Sequence, residues 1–374
     1  MAKKALLTID DVQHKVKKGF ITIDGIHHKI KKAFVTIGGV YRPCWSGGKL
    51  EYYGVIESFG NGTVDHAATS VGDIALFGGG GTVSIARVDT VHAYSLSLTR
   101  SSAPVLSKSR NRLAATTVGD YALFGGGSGI ETKYDAVDAY DASLTKTNPS
   151  PLISARDQLS ATTVGNYAIF GGGGYGYVDA YDTSLTRFAA DSLNGTTTIY
   201  NPAATSVGDY ALFGPGYSSS VSSSVYAYDT SLTRSEITGL SVARIYIAAT
   251  TVGGYALFGG GSSNVLNDIG LTTVDAYDKS LTRSTPNELC AGKFRGVATT
   301  VDGYAIFCGG VADDKDINTT DAYDTSLVHT IPPALSVGRK NIAATSIGNY
   351  ALFGGGNSAT GSIYYGCIDV YTVI

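Results

Sequence analysis

Tryptophan and methionine each occur once in these 374 residues, at Trp45 and Met1. Cysteine occurs four times, at Cys44, Cys290, Cys308 and Cys367, with neither the paired spacing of a zinc site nor the even framework of a small secreted domain, so free thiols are expected. Histidine is nearly as sparse. Beyond His14, His27 and His28 there are only His66, His92 and His329, too few for a histidine-rich metal centre. No run is long and apolar enough to cross a bilayer, and the opening MAKKALLTID lacks the hydrophobic stretch of a secretory signal, which points to synthesis in a cytoplasm and to no membrane insertion. The glycine triplets follow apolar strands and do not open helices, so neither a phosphate-binding loop nor a nucleophile elbow is present.

What the chain has in abundance is glycine, 48 residues, and tyrosine, 25, and both recur with a period. Near copies of Ala114–Gly127, AATTVGDYALFGGG, begin at Ala67, Ala114, Ser160, Ala203, Ala248, Val297 and Ala343. Their phenylalanines (77, 124, 170, 213, 258, 307 and 353) fall about 46 residues apart, a spacing that belongs to repeat architectures. Ala-Ala-Thr-Thr-Val predicts a short strand and the Gly-Asp-type pair after it a tight turn. Tyr-Ala-Leu-Phe predicts a second strand with both faces covered. A third strand is predicted at Val137–Asp141 and its equivalents, followed by a Ser-Leu-Thr-Arg turn and a more polar fourth. Four antiparallel strands repeated seven times describe a propeller, with the small Ala, Thr and Ser residues innermost where the sheets converge.

A hydrophobic strand ending in glycines, then a Tyr-Asp on the third strand, resembles the kelch family, including propellers of galactose oxidase type. The resemblance implies an all-β, seven-bladed β-propeller over 49–374. This chain puts Ser-Leu-Thr-Arg where kelch repeats usually carry a Trp. The last repeat stops at Ile368–Ile374, with no residues for a fourth strand, and 49–57, ahead of the first repeat, is an unpaired strand candidate. We therefore expect the N-terminal segment to complete the last blade and close the ring.

Residues 3–45 hold a shorter repeat, KKALLTIDDVQHKV, KKGFITIDGIHHKI and KKAFVTIGGVYRPCW, each predicted as a hairpin about an Asp-Asp, Asp-Gly or Gly-Gly centre. The first 48 residues are basic and the remainder acidic, so 1–48 is read as a separate arm. A solvated surface, docking on an acidic partner in an assembly and non-specific nucleic-acid affinity all fit its lysines and histidines; nucleic acid is the least expected. Lys31–Trp45 followed by Ser-Gly-Gly resembles the N-terminal repeats of tail and baseplate proteins of bacteriophages and prophages of Gram-positive bacteria. That resemblance implies attachment to particle proteins through the arm, a homo-oligomer within an assembly, and release from a bacterial cytoplasm into a virion or extracellular particle by lysis.

In a four-stranded blade the loops joining strands one to two and three to four share one rim, and the others share the opposite rim. The first pair is nearly identical in every repeat, the second diverse, and diverse loops on a rigid scaffold are where binding is expected. The candidate ligand-binding residues on that rim are Arg112, Asp157, Gln158, Tyr200, Asn201, Tyr246, Phe294, Arg295 and Asn341, joined by Tyr175 and Tyr217 from the loops after the glycines. Rings with Asn, Asp, Gln and Arg suit sugars, although an ordinary hydrated rim fits the same residues. Arg110, Arg156, Arg244, Lys293 and Arg339 stand at one equivalent position and are read as structural. Asp314 and Asp316, in the acidic loop 313–318, offer oxygens in the alternation of a calcium loop but lack its glycine and distal glutamate. No other cofactor and no catalysis are expected: a copper centre would need more histidines, and no sialidase-type Asp-box is found. The expected function is non-enzymatic recognition of a host-surface glycan or protein receptor, with a structural or decoration protein of a phage-like particle as the alternative and a carbohydrate-active enzyme as the second.

Overall fold

The computed structural model describes the backbone of strands within 20–46 and residues 48–195, 198–264 and 269–374. Every regular element among them is a strand. In the arm, Phe20–Ile23 pairs antiparallel with Ile26–Lys29, and Lys32–Ile37 with Val40–Ser46. These are two of the three expected hairpins; the first repeat lies outside the described residues. The second hairpin slips register between Ala33 and Phe34, opposite the stretch holding Pro43, whose nitrogen cannot donate to a ladder.

Seven four-stranded antiparallel sheets follow, and they form a β-propeller. Blade 2 is typical: Ala114–Val118, Tyr121–Gly125, Val137–Asp141 and Lys146–Thr147, in that spatial order. The innermost strands of blades 1 to 7 are Ala67–Val71, Ala114–Val118, Leu159–Val164, Ala204–Val207, Ala248–Val252, Val297–Val301 and Ala343–Ile347. Each touches the next, and the seventh touches the first. Their threonines tie neighbours together. Thr117 Oγ1 lies 2.8 Å from Thr69 Oγ1 and donates to the Ser70 carbonyl, and Thr163 repeats the pattern on blade 2.

Aromatic packing repeats with the period. In every blade the phenylalanine of the second strand meets the tyrosine of the third edge to face, with centroids 5.9 Å apart in Phe124–Tyr140 and Phe258–Tyr277. Each of these tyrosines is buried yet satisfied, because its hydroxyl donates to a carbonyl ahead of its own blade: Tyr140 to Pro104, Tyr181 to Ser150, Tyr277 to Thr238. The glycine after the phenylalanine is needed for close approach. A Cβ on Gly259 would lie 2.8 Å from the ring of Phe307 in the next blade.

The ring closes as expected. Leu50–Ile56 pairs antiparallel with Ile368–Val373 and supplies the outer strand of blade 7. The ladder carries a bulge between Val370 and Tyr371, and Gly54 beside it takes φ 129°, a left-handed value open to glycine. Tyr52 donates to the Asp369 carboxylate at 2.6 Å, and Lys49 and Ile374 exchange backbone hydrogen bonds at 3.0 and 3.2 Å.

The uniform rim is uniform for local reasons. Asp141 Oδ1 accepts from the Ser143 and Thr145 amides and from the Ser143 hydroxyl, and Asp182, Asp229 and Asp278 do the same in their blades. The serine hydroxyl foremost holds these carboxyls below their usual pKa. The first turn of each blade then sits against the next blade: Gly119 faces Thr183, Gly165 faces Thr230 and Gly253 faces Thr325.

Candidate functional site

On the opposite rim, the residue two places before each inner repeat has a left-handed backbone although none is glycine. The φ values are 53° at Asp65, 53° at Arg112, 59° at Gln158, 48° at Asn201, 53° at Tyr246, 57° at Arg295 and 55° at Asn341. Such a conformation costs an L-residue roughly 1–2 kcal/mol and persists only where the surroundings impose it. Here backbone hydrogen bonds join four of the neighbouring pairs around the channel mouth. The Arg112 amide donates to the Asp65 carbonyl at 2.8 Å, Gln158 to Arg112 at 2.9 Å and Asn201 to Gln158 at 2.7 Å; Asn341 donates to Arg295 at 3.3 Å. One fixed backbone shape thus presents seven side chains of five kinds around one opening.

The predicted residues gather there in two groups. In blades 2 to 4, Arg112 lies 3.7 Å from Asp65 and 3.9 Å from Asp157, and Lys133 lies 2.8 Å from Asp157 with its ammonium 5.1 Å from the centre of the Tyr200 ring. Burial opposes the Lys133 charge, but the Asp157 carboxylate outweighs it and raises the pKa. Asn201 donates to the Gln158 side-chain carbonyl at 2.8 Å, and Tyr217 bridges backbone to backbone with Tyr200. In blades 5 and 6, the Arg295 guanidinium lies 4.3 Å from the Tyr246 ring centre and 5.2 Å from that of Phe294, and the two rings meet edge to face at 4.9 Å. Phe294 and Asp157 are both buried and support their neighbours, while Arg112 keeps about half its side chain in solvent, 46 %. Asn341 donates to Asn357 at 2.9 Å. Tyr175 is exposed, and its ring contact is with Tyr177.

Beneath the rim lies a feature that the sequence reading saw by half. The cations at the recurrent position are buried against the second residue of the third strand: Arg110 with Asp138 at 2.8 Å, Arg156 with Asp179, Arg244 with Asp275 and Arg339 with Asp369 at 2.7 Å, and Lys293 with Asp321 at 3.2 Å. Each carboxylate also accepts from the loop ahead of its blade, as in Ser107, Ser241 and Ser336. In four blades a guanidinium also donates to the carbonyl of the second-strand phenylalanine, Phe124, Phe170, Phe258 or Phe353. The five aspartates were missed as partners, and a signal was available: blades 1 and 4 lose both members together, holding Thr63 with His92 and Ile199 with Tyr226.

Blade 1 fills the vacated place with rings. Phe59 lies over His92 at 5.0 Å and meets His66 edge to face at 5.4 Å. Burial, and then the neighbouring His92, lowers the His66 pKa to about 3, and burial lowers that of His92 as well. The unfolded chain therefore takes up a proton near pH 6.5 that the folded one refuses until far lower pH. Stability is complete above pH 6.5 and falls as the pH drops toward 3. Thermal melting at a series of pH values is expected to show this decline, and His66→Gln to lessen it between pH 6 and 4; an unchanged slope would exclude His66 as the cause.

Asp313 and Asp314, with φ 49° and 58°, form the turn of a tight hairpin in which Val311–Ala312 pairs with Lys315–Asp316, and Asp316 accepts from the Ala359 amide. Among the described residues no group of three metal-ligating side chains converges, and Cys290, Cys308 and Cys367 are free thiols. No family model matches the chain, and no curated protein does. A solved structure described as "Structure of YjhT" is similar over 74 % of this chain and 99 % of that one, at 11 % identity and TM-score 0.59, a likeness of fold alone.

Proposed function

We propose that the protein is a non-enzymatic binding protein of a phage tail or a related particle, whose propeller recognises a glycan or other receptor on a host surface through the channel mouth. The observation that carries this reading is the contrast between the rims: one backbone shape holds Asp, Arg, Gln, Asn, Tyr, Arg and Asn in turn at the mouth, whereas the opposite rim repeats one turn. Arg112, Gln158, Asn201, Tyr246, Arg295 and Asn341 supply ring faces and hydrogen-bonding groups of the kind that read sugar hydroxyls. The kelch-like repeat pattern and the tail-like arm sequence support the same reading, with the arm anchoring to particle proteins and copy number multiplying weak contacts, typically by about 10²–10⁴.

A glycan array probed with the full chain tests it. Binding to at least one surface glycan is expected, reduced tenfold or more by Arg112→Ala, Tyr246→Ala or Arg295→Ala. Binding that survives all three substitutions, or no binding at all, would remove the channel mouth from consideration.

A further inference from the structure

Blade 4 departs from the five blades that hold the buried pair at three positions that line one cavity. Ile199 stands at the place of the buried cation, Tyr226 at that of its aspartate, and Pro215 at that of the glycine following the second strand. In blade 2 the carbonyl just before the third strand, Ala136, accepts two donors: the Gly126 amide at 3.0 Å and Arg110 Nη1 at 3.1 Å. The glycine amide makes the equivalent bond in blades 1, 5 and 7, and Lys293 supplies the cation in blade 6. The matching carbonyl in blade 4 belongs to Ser224. Proline has no N–H and isoleucine no polar atom, so neither donor exists there.

Ile199 and Tyr226, both buried, take the places of the pair without restoring either donor. A cavity of 170 Å³ lies beside them, against the roughly 10–15 Å³ that one water needs on the same measure. Its apolar lining comes from Leu193, Ile199 and Pro215, and its polar lining from Asn194, Tyr226 and four serines at alternate positions, Ser218, Ser220, Ser222 and Ser224. All four belong to the loop 214–224 that joins the second strand of the blade to the third. That segment is fixed from behind, because the Ser222 and Ser223 carbonyls accept the Arg244 and Leu240 amides at 3.0 and 2.8 Å. Ser222 Oγ accepts from the Ser224 amide at 3.0 Å, which leaves its own hydrogen to donate.

We propose that this cavity binds a single neutral, polyhydroxylated unit, the terminal residue of a neutral glycan or a free sugar of the same kind. No charged side chain lines it, so an ionic ligand would lose its hydration without a counter-charge, whereas hydroxyls, an amide, a phenol and a carbonyl exchange hydrogen bonds with a sugar one for one. The choice of a sugar over other neutral polyols rests on the glycan reading of the channel mouth; the cavity itself is a separate place on the same rim.

Ligand-observed NMR and titration calorimetry on the full chain test it, with glucose, galactose, mannose and N-acetylglucosamine as probes and glucuronic acid and glucosamine as charged counterparts. At least one neutral sugar is expected to bind with a dissociation constant on the order of millimolar. Affinity should fall tenfold or more when the pair is rebuilt by Ile199→Arg, Pro215→Gly and Tyr226→Asp together, and also in Ser222→Val, which keeps the proposal testable should the triple variant fold poorly. Arg112→Ala and Tyr246→Ala should leave this binding unchanged. No neutral sugar bound, charged counterparts bound equally well, or affinity indifferent to Ser222→Val would overturn the cavity site. Sensitivity to Arg112→Ala and Tyr246→Ala alone would overturn it while supporting the mouth, and the reverse pattern would do the opposite.

Discussion

Replacing Asp275 with alanine is expected to destabilise the protein by about 3–5 kcal/mol, the typical loss when one partner of a buried ion pair is removed. Arg244, fully buried, would keep its charge without the carboxylate now 2.7 Å away, and the Ser241 amide and hydroxyl would lose their acceptor. Arg244→Ala should be nearly as severe, because Asp275 is equally buried. The double variant Arg244→Ile, Asp275→Tyr is expected to lose less than either single substitution. It removes both charges at once and installs the two residues that blade 4 holds, Ile199 and Tyr226, in a blade of the same fold. Urea unfolding of Arg244→Ala, Asp275→Ala and the two alanine substitutions together measures the coupling between the sites, with the Ile–Tyr pair compared beside them. A double alanine variant that loses the sum of the two single effects would mean that the residues act independently and that their joint absence from blades 1 and 4 has another cause.

The second large effect concerns closure. A chain beginning at residue 58 is expected not to fold cooperatively. It would lack Leu50–Ile56, so six paired positions of the Ile368–Val373 strand would lose their partners, with ladder hydrogen bonds worth about 1 kcal/mol each. The buried Asp369 would lose the Tyr52 hydroxyl as well. Several kilocalories per mole is a large part of the 5–15 typical of a folded domain. The exposed strand, rich in Ile, Val and Tyr, would also offer an open edge to other chains. Size-exclusion chromatography and near-ultraviolet circular dichroism would detect aggregation and lost packing; a monomeric, native-like chain would show that blade 7 holds with three strands.

Much of the architecture could be read from residue order because each blade is built from local pairings repeated seven times. The glycine turns, the Asp-Ser-Leu-Thr turns and the Phe–Tyr contacts each depend on residues within one repeat or its neighbour. The closing strand was legible for a related reason: the last repeat lacks one strand and a spare one precedes the first. The pairing of Arg110 with Asp138 was harder to see. The recurrence of Arg110 and its equivalents marks them as structural but names no partner, and only the packing of the loop over the blade sets Arg110 against Asp138 and removes it from water. The channel-mouth candidates were identified as a set, but not the separation of Arg112, neutralised by Asp65 and Asp157, from Arg295, held against rings.

The sequence by itself determined the number of blades, the strands in each and the manner of ring closure, since a repeat period and short-range turn chemistry carry that information. Only the tertiary structure decided which charges lie inside, which rim residues touch, and that blade 4 has a cavity beside the two residues that replace the ion pair of five other blades. Those outcomes depend on groups tens of residues apart being brought within a few ångströms, where burial and the balance of charge, not residue order, set what each side chain can do.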